Sequence, residues 1–302
     1  MRKPKLRLTA LAAAGLLSMG LMTACGSSDE GSDGGGGGGD GGDKSVTIGM
    51  AAGWDEDIAV SHLWKYVLEE KGYDVTLKEL DVAPVFIGVA KGDLDLFFDT
   101  WLPVTHEDYW KKYKDQVVDL GVWYDEATLN IAVPEYMDVT TIGDLKGVAD
   151  QVNGTITGID PGAGLTRVTK TEAMPAYGLD NYELKTSSTP AMLAALKKAT
   201  DAEEPIVVTL WHPHWAYSAF PIKDLEDPKG AMGDAEEIHT IASEDFAESN
   251  DEVVEAVKNF KMDDETLADL EKVVLQDHKD DMDKGVEVWA EDNQDFVDNM
   301  MK

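Results

Sequence analysis

Three tryptophans that lie far apart in the chain carry the most specific chemistry in this sequence. Trp54, Trp101 and Trp211 each stand in a segment typical of a turn, with glycine directly before the indole or proline two residues after it. If folding brings the three indoles together, their π-faces can enclose an organic cation that has no N–H to donate, because the ring quadrupole and dispersion still attract such a group. These residues therefore predict an aromatic cage for an onium group.

A second candidate site is a loop suited to an anion. Residues 160–165 follow a predicted strand and open a predicted helix, and they include Gly162 and Gly164. The glycines allow backbone N–H groups to converge on one point, and the helix N-terminus adds partial positive charge. The Lys-Ser/Thr pair and the third glycine of nucleotide-binding loops are missing, so a plain turn with a helix cap is an equal alternative. Combined with the cage, the loop predicts a ligand with an onium group and a carboxylate.

His106 is the candidate side-chain donor to that carboxylate. It follows Trp101 by five residues, which is close enough to reach the same pocket in a structured loop. The alternative is a surface histidine near the start of a helix.

A different receptor class is also open, because His212 and His214, together with His106 and a nearby acid, could ligate zinc. Pro213 between the two histidines favours an extended turn in which their rings point apart.

The sequence offers no support for catalysis. It has no Gly-x-Ser-x-Gly elbow, no nucleophilic cysteine in the predicted mature body and no dinucleotide-binding loop. An enzyme acting on a cationic substrate such as choline is thus the weaker alternative, and neither a cofactor nor a catalytic residue is predicted.

The elements that must position these residues alternate between strand and helix. Strands are predicted at 46–50, 74–80, 94–98, 129–133, 155–159 and 205–210. Helices are predicted at 56–70, 82–91 and 190–199, after Gly164, and from about residue 250 onward. This alternation predicts an α/β fold of two units with a cleft between them. The remaining tryptophans are predicted to pack in the core or lobes: Trp64, Trp110, Trp123, Trp215 and Trp289.

The N-terminal segment predicts export and anchoring. Basic residues precede an apolar run from Leu8 to Leu21, as in a secretory signal, here placed at residues 1–24. The chain's single cysteine, Cys25, follows a segment that resembles a bacterial lipobox, so Cys25 is predicted to be lipidated and no internal disulfide can form. Residues 25–44 are rich in Gly, Ser and acidic side chains and predict a flexible linker with a reach of roughly 20 to 25 Å.

The charge of the chain limits its partners. The net charge is −33, and removal of the basic signal segment makes the mature chain still more negative. Such an excess of acidic residues excludes a nucleic-acid-binding surface, and it disfavours direct adhesion to anionic lipid without the acyl anchor. The acidic residues are interpreted as solvated surface.

Five segments together resemble the glycine betaine binding proteins of ABC importers: residues 53–56, 81–86, 99–106, 158–164 and 211–215. The resemblance covers about residues 46–260 in sequential order. It implies a two-lobed periplasmic-binding-protein fold of type II, with lobe 1 formed by residues 45–133 and about 222–302, and lobe 2 by residues 134–221.

The resemblance also implies roles for the candidate residues. Trp54, Trp101 and Trp211 would enclose the trimethylammonium group, and His106 with the backbone N–H groups of Gly164 and Leu165 would hold the carboxylate. The implied partners are a betaine, an ABC permease and its ATPase, and the implied location is the outer side of the cell membrane. Which betaine is preferred stays open on the sequence alone.

Overall fold

The computed structural model describes residues 44–302. The predicted signal segment, the lipidation site at Cys25 and all but the last residue of the predicted linker lie outside the described residues. No helix within residues 44–302 combines the length and the apolar character needed to cross a membrane.

Nine strands are present in the described part of the chain, and they are numbered in chain order. The strands are β1 (Ser45–Ala51), β2 (Asp74–Leu80), β3 (Leu96–Leu102), β4 (Val117–Pro134), β5 (Thr155–Thr157), β6 (Glu183–Lys185), β7 (Val208–His212), β8 (Ile222–Asp224) and β9 (Glu236–Ser243).

Helices connect and cover these strands. The α-helices are α1 (Asp55–Glu70), α2 (Val82–Lys91), α3 (Glu107–Tyr113), α4 (Gly164–Val168), α5 (Met174–Tyr177), α6 (Thr189–Asp201), α7 (Ala216–Ala219), α8 (Glu244–Ser249), α9 (Asp251–Asn259), α10 (Asp264–Glu271), α11 (Met282–Asp292) and α12 (Gln294–Met300). Two 3-10 helices (Ile142–Gly147, Ala149–Val152) and two π-helical turns (Thr169–Ala173, Lys272–Asp277) complete the set.

The strands form one hydrogen-bonded order, β2-β1-β3-β9-β4-β7-β5-β6, with β8 paired to β4. Helices α1 and α2 connect the parallel strands β1, β2 and β3, as a parallel arrangement requires. A second parallel group, β6-β5-β7, lies on the other side of β4. The predicted α/β class is therefore confirmed.

Strand β4 belongs to both groups. Its first part pairs antiparallel with β9 as far as Ala127, and its second part pairs antiparallel with β7 from Thr128 onward. The chain crosses between the groups a second time between β8 and β9. The predicted lobe boundaries at 133/134 and 221/222 lie near these crossings and stay a prediction.

The predicted elements differ from the observed ones mainly at strand ends. Residues 74–80 and 82–91 agree with β2 and α2. The strand predicted at 94–98 instead runs from Leu96 to Leu102, because Thr100 and Trp101 pair with β9 and are buried despite the polar residues beside them. The strand predicted at 205–210 likewise moves to Val208–His212.

The core confirms most of the packing assigned to the other tryptophans. Trp64, Trp123 and Trp289 are almost completely buried. Trp110 and Trp215 are partly buried and pack against the same core. These five tryptophans therefore contribute to packing, whereas Trp54, Trp101 and Trp211 together line one cavity.

Candidate functional site

A cavity lies between the two strand groups and encloses about 270 Å³ of empty space. Most of its walls are apolar, and three of them are indole rings. The lining residues are Trp54, Glu56, Trp101, Thr105, Leu129, Ile159, Ala163, Gly164, Leu165 and Trp211. The three predicted cage tryptophans therefore meet in one hollow, together with both predicted backbone donors.

Each cage tryptophan is positioned by a different element. Trp54 precedes the first turn of α1, directly after Gly53, whose φ of +73° turns the chain out of β1. Trp101 lies near the end of β3. Trp211 lies in β7 opposite Leu129 of β4, so both side chains share one face of the sheet and both reach the cavity. The prediction that all three stand in turns was wrong for Trp101 and Trp211, because strand pairing extends past the turn-like residues.

A carboxyl group lies beside each cage indole. The Nε1 of Trp101 donates to Oδ1 of Asp99 at 2.6 Å, and the Nε1 of Trp211 donates to Oε2 of Glu56 at 2.9 Å. The Trp54 side chain lies near Asp160 and lowers the pKa of that carboxyl against the larger opposing effect of its burial. The indole edges are thus occupied by protein.

Four carboxyl groups beside the cage are almost completely buried. Burial raises the pKa of each above its ordinary range, and charge repulsion from other acids adds to this effect at Glu56, Asp57 and Glu271. Burial raises the pKa of the fourth, Asp99, to about 7. The four groups are Glu56, Asp57, Asp99 and Glu271.

One end of the cavity is formed by the start of α4. Gly164 and Leu165 are its first two residues, and the N–H groups at the start of a helix have no partner within the helix. Helical structure continues without a break from α4 through Thr169–Ala173 to the end of α5. Two backbone donors and the positive end of this helix therefore face the cavity region, as a carboxylate requires.

The two sides of the cavity touch closely at Gly164. A Cβ atom at this position would lie 2.0 Å from the backbone oxygen of Thr105 and 2.7 Å from its Cγ2. Any side chain larger than hydrogen would force the strand groups apart. Around this contact, Tyr109 donates to the backbone oxygen of Gly162 at 3.0 Å, and Arg167 donates to that of Val104 at 2.6 Å.

His106 lies behind the cage rather than in its wall. Its ring stacks on the indole of Trp54 with centroids 5.4 Å apart and planes 6° apart. The Nδ1 atom accepts the backbone N–H of Trp101 at 2.9 Å, so the neutral ring carries its proton on Nε2. Nε2 is buried and has no partner within residues 44–302. Burial lowers the pKa of His106 to about 3, with a contribution from Arg167, and keeps the ring neutral.

The loop between Trp101 and His106 is held by one carboxylate. Glu236 in β9 is 2% exposed, and its Oε2 accepts the backbone N–H groups of Val104 at 2.6 Å and of Thr105 at 2.8 Å. Its Oε1 accepts the Thr105 hydroxyl. Three donors to one anion fix this loop, and with it the position of Thr105 in the cavity wall.

The sequence of the described residues matches a known protein family. Residues 44–292 match the family described as the substrate binding domain of ABC-type glycine betaine transport systems. The chain belongs to this family. The predicted two-lobed fold is confirmed with it, and members of the family are transport receptors that work outside the cytoplasm.

Solved structures of the family share the fold over nearly the whole body. The lactococcal OpuAC, in a closed conformation complexed with glycine betaine, is 33% identical, with 86% of this chain and all of that chain covered and a TM-score of 0.79. The glycine/betaine/L-proline-binding protein ProX of Borrelia burgdorferi is 30% identical, with 85% and 97% covered and a TM-score of 0.79.

A curated relative matches over a shorter stretch. The glycine betaine/carnitine transport binding protein GbuC of Listeria monocytogenes is 40% identical over 155 residues, which is 50% of this chain. The aligned part spans half the length of that relative.

The zinc alternative is not supported in this member of the family. His212 hydrogen-bonds Asp224 at 2.8 Å and stacks on Tyr217, whereas Nδ1 of His214 accepts the backbone N–H of Ala216. The two histidines thus have separate partners, and His106 lies apart behind the cage. Within residues 44–302, no group of three or more potential ligands is arranged to hold a metal ion.

Several residues of this glycine betaine family site were not singled out from the sequence. Glu56, Asp99 and Asp160 hold the indoles, and Glu236 holds the loop. Acidic residues are so numerous here that their type alone carries little information. The position of Asp99, two residues before Trp101 and on the same face of a strand, is the one available signal.

Stability of the unliganded receptor is expected to fall as pH rises from about 4 to about 7. The pKa of Asp99 is raised from 3.8 to about 7, so between these values the folded state keeps a proton that the unfolded state has released. Asp99 stabilises the folded state fully at pH values below its pKa in the unfolded chain. This stabilisation is lost as the pH rises through the pKa of Asp99 in the folded state. Thermal denaturation across this range checks the expectation.

The matched variant for this test is Asp99→Asn, which retains an acceptor for Trp101 but has no proton to release. Its melting temperature should decrease less between about pH 4 and 8 than that of the wild type. Equal decreases in both proteins would contradict the role of Asp99.

Proposed function

We propose that this chain is the receptor of an ABC importer that captures glycine betaine, or a closely related methylated zwitterion, and delivers it to a membrane permease driven by an ATPase. The observation that carries the proposal is the meeting of Trp54, Trp101 and Trp211 with Gly164 and Leu165 around one cavity. The glycine betaine bound to the lactococcal relative supports the same conclusion.

The onium end of the ligand is assigned to the three indoles. Each cation–π contact contributes about 0.5 to 2 kcal/mol, and the larger values apply where water is excluded. Because the indole N–H groups of Trp101 and Trp211 are already bonded to carboxyls, these rings offer their faces, which suit a methylated cation. An ammonium with its own N–H groups would find few acceptors on these walls.

The carboxylate end is assigned to Gly164, Leu165 and His106. The two N–H groups at the start of α4 supply charge-assisted hydrogen bonds of about 1.5 to 3 kcal/mol each. His106 is not part of the cavity wall, but the proton on its buried Nε2 has no protein partner among the described residues, so we propose it as a third donor, reached by a carboxylate that extends behind the Trp54 indole. A neutral histidine also keeps this donor through the physiological pH range.

The size of the cavity favours a short betaine. Its empty space amounts to about 270 Å³, and Ile159, Ala163 and Leu129 are among the apolar residues of its wall. Glycine betaine should therefore bind more tightly than carnitine.

Calorimetric competition with a panel of methylated zwitterions tests this function. Glycine betaine, proline betaine, carnitine, a sulfonium analogue, choline and zinc would be titrated at one fixed salt concentration, because the protein is highly acidic. Micromolar binding of a methylated zwitterion is expected, which corresponds to about −8 kcal/mol. Binding of zinc alone, or of none of these compounds, would reject the proposal.

Replacement of His106 by alanine should separate the two ends of the ligand. The loss of one donor to a carboxylate is expected to weaken glycine betaine binding by about tenfold to 100-fold. Choline has the same onium group but no carboxylate, so its affinity should change much less. Isothermal titration with both ligands measures the difference, and equal losses would show that His106 does not contact the carboxylate.

We propose that the chain is anchored to the membrane through a lipidated Cys25, with residues 1–24 removed and residues 25–44 as a linker. The lipobox-like segment and the family's role outside the cytoplasm support this arrangement. Mass spectrometry of the protein extracted from its native membrane should find a diacylated N-terminal Cys25. An unmodified cysteine, or an intact N-terminus at Met1, would contradict the anchor.

A further inference from the structure

The cage is held together by contacts between indoles and carboxyl groups across the cleft. Glu56 lies in the first turn of α1, beside the β1-β2-β3 group, whereas its partner Trp211 lies in β7 of the other group. In the opposite direction, Trp54 stands at the start of α1 and its partner Asp160 lies in the loop before α4. Each side of the cleft thus supplies an indole to the cage and a carboxyl group to the other side's indole.

The wall formed by Trp101 is built differently. Asp99 and Trp101 belong to the same strand, two residues apart, so their 2.6 Å hydrogen bond forms within one side of the cleft. Trp101 can therefore be in place before the two sides meet. The rings of Trp54 and Trp211 also contact His106 and His214 of their own sides, but the carboxyl groups at their N–H edges arrive only when the cleft closes.

We propose that Glu56 is a positioning residue that fixes the Trp211 indole upon closure, so that the third wall of the cage is completed around a ligand already resting on Trp101. Asp160 lies near Trp54 in the reciprocal arrangement. This inference rests on the proposed betaine-binding function, and it adds the residues that make the cage depend on closure.

The local geometry explains why an acceptor is needed here. Glu56 and Trp211 are 1% and 4% exposed, so an indole N–H left without a partner at this place would have no water to replace the lost hydrogen bond. Without the acceptor, the ring would also be free to turn its face away from the onium group. A neutral side chain of the same length can accept the indole N–H and can hold the ring in its orientation, so the role does not need a negative charge.

Two variants of nearly equal size isolate the acceptor from the charge. Glu56→Gln retains an oxygen that can accept the Trp211 N–H, whereas Glu56→Met has none. Stopped-flow tryptophan fluorescence would measure the dissociation rate of glycine betaine, calorimetry its affinity, and thermal denaturation the stability of the ligand-free protein. Glu56→Met should release betaine at least tenfold faster than the wild type, with little change in the ligand-free melting temperature. Glu56→Gln should restore most of the wild-type rate.

The chain provides a matched control in another indole–carboxyl pair. Trp289 Nε1 donates to Oδ2 of Asp269 at 2.9 Å, and neither residue lines the cavity. Asp269→Ala should lower the melting temperature and leave betaine dissociation unchanged. Asp160→Ala, which removes the reciprocal acceptor, should also accelerate release, and it is the second test should Glu56→Met fail to fold.

The outcomes distinguish this inference from the proposed function. If the wild type binds no betaine, the proposed function fails. If the wild type binds betaine and Glu56→Met releases it at the wild-type rate, the positioning role is rejected. Equal losses in Glu56→Gln and Glu56→Met would also reject it, because they would show that the charge acts directly on the onium group.

Discussion

Substitution of Gly164 by alanine is expected to lower betaine affinity by about 100-fold, equivalent to about 3 kcal/mol. The new Cβ would lie 2.0 Å from the backbone oxygen of Thr105, and a backbone atom cannot move aside as a flexible side chain can. The two sides of the cleft could then not approach closely enough for the N–H groups of Gly164 and Leu165 to reach a ligand held by the cage. Isothermal titration with glycine betaine measures the loss.

Gly147→Ala is the matched control for this variant. Gly147 ends a 3-10 helix, and a Cβ atom there would have no neighbour within 4 Å. Its affinity for betaine should equal that of the wild type. If Gly164→Ala also binds with wild-type affinity, the close approach at Thr105 is not part of the bound state, and the assignment of the anion end would have to change.

Substitution of Trp101 by alanine should weaken betaine binding by at least about tenfold without unfolding the protein. The variant loses one of three cation–π walls, which contributes up to about 2 kcal/mol where water is excluded, together with the dispersion contacts of a large ring. Trp101 is also the wall that forms within one side of the cleft, so its loss removes the surface on which a ligand first rests. Calorimetry and circular dichroism of the same preparation test affinity and folding together.

Trp289→Ala is the comparison that separates the cage from the core. Trp289 is 1% exposed in α11 and packs against Phe296, so its truncation should cost about 3 to 5 kcal/mol of stability. Betaine affinity of the folded fraction should not change. The opposite pattern, with binding lost in Trp289→Ala and kept in Trp101→Ala, would reject the choice of cage residues.

Much of the site was predictable because its residue types are rare and its segments distinctive. Tryptophan is uncommon, and Trp54, Trp101 and Trp211 stand in motifs that resemble a known family, so their convergence in one cavity could be expected. The loop with Gly164 was recognisable for a similar reason, since two glycines before a helix point to close backbone approach.

The supporting carboxyl groups could not be predicted in the same way. With 59 acidic residues in the chain, the usual expectation for any one of them is a solvated surface position. Glu56 and Asp160 find their partners across the cleft, and Glu236 finds its partners on a loop more than 130 residues earlier. Such pairings depend on tertiary contacts that no local pattern in one sequence reveals.

The ends of β3, β4 and β7 were missed because strand pairing overrode local composition. Polar Thr100 is buried against β9, and the apolar run at 129–133 is only the last part of an 18-residue strand. Periodicity detects the apolar centre of such strands and not the residues that are held by their neighbours.

The long strand β4 also determines how the molecule can move. Its pairing with β9 has irregular register between Tyr124 and Ala127, and its pairing with β7 begins at the next residue. Irregular register bends a strand and increases its local twist. Rotation about this short stretch would disturb only the Ala127–Glu236 pair at the end of the β9 ladder, so opening the receptor leaves most of both ladders intact. The equilibrium between the open, ligand-free conformation and the closed, ligand-bound conformation then depends on the few contacts at the cleft. A small ligand can therefore shift it.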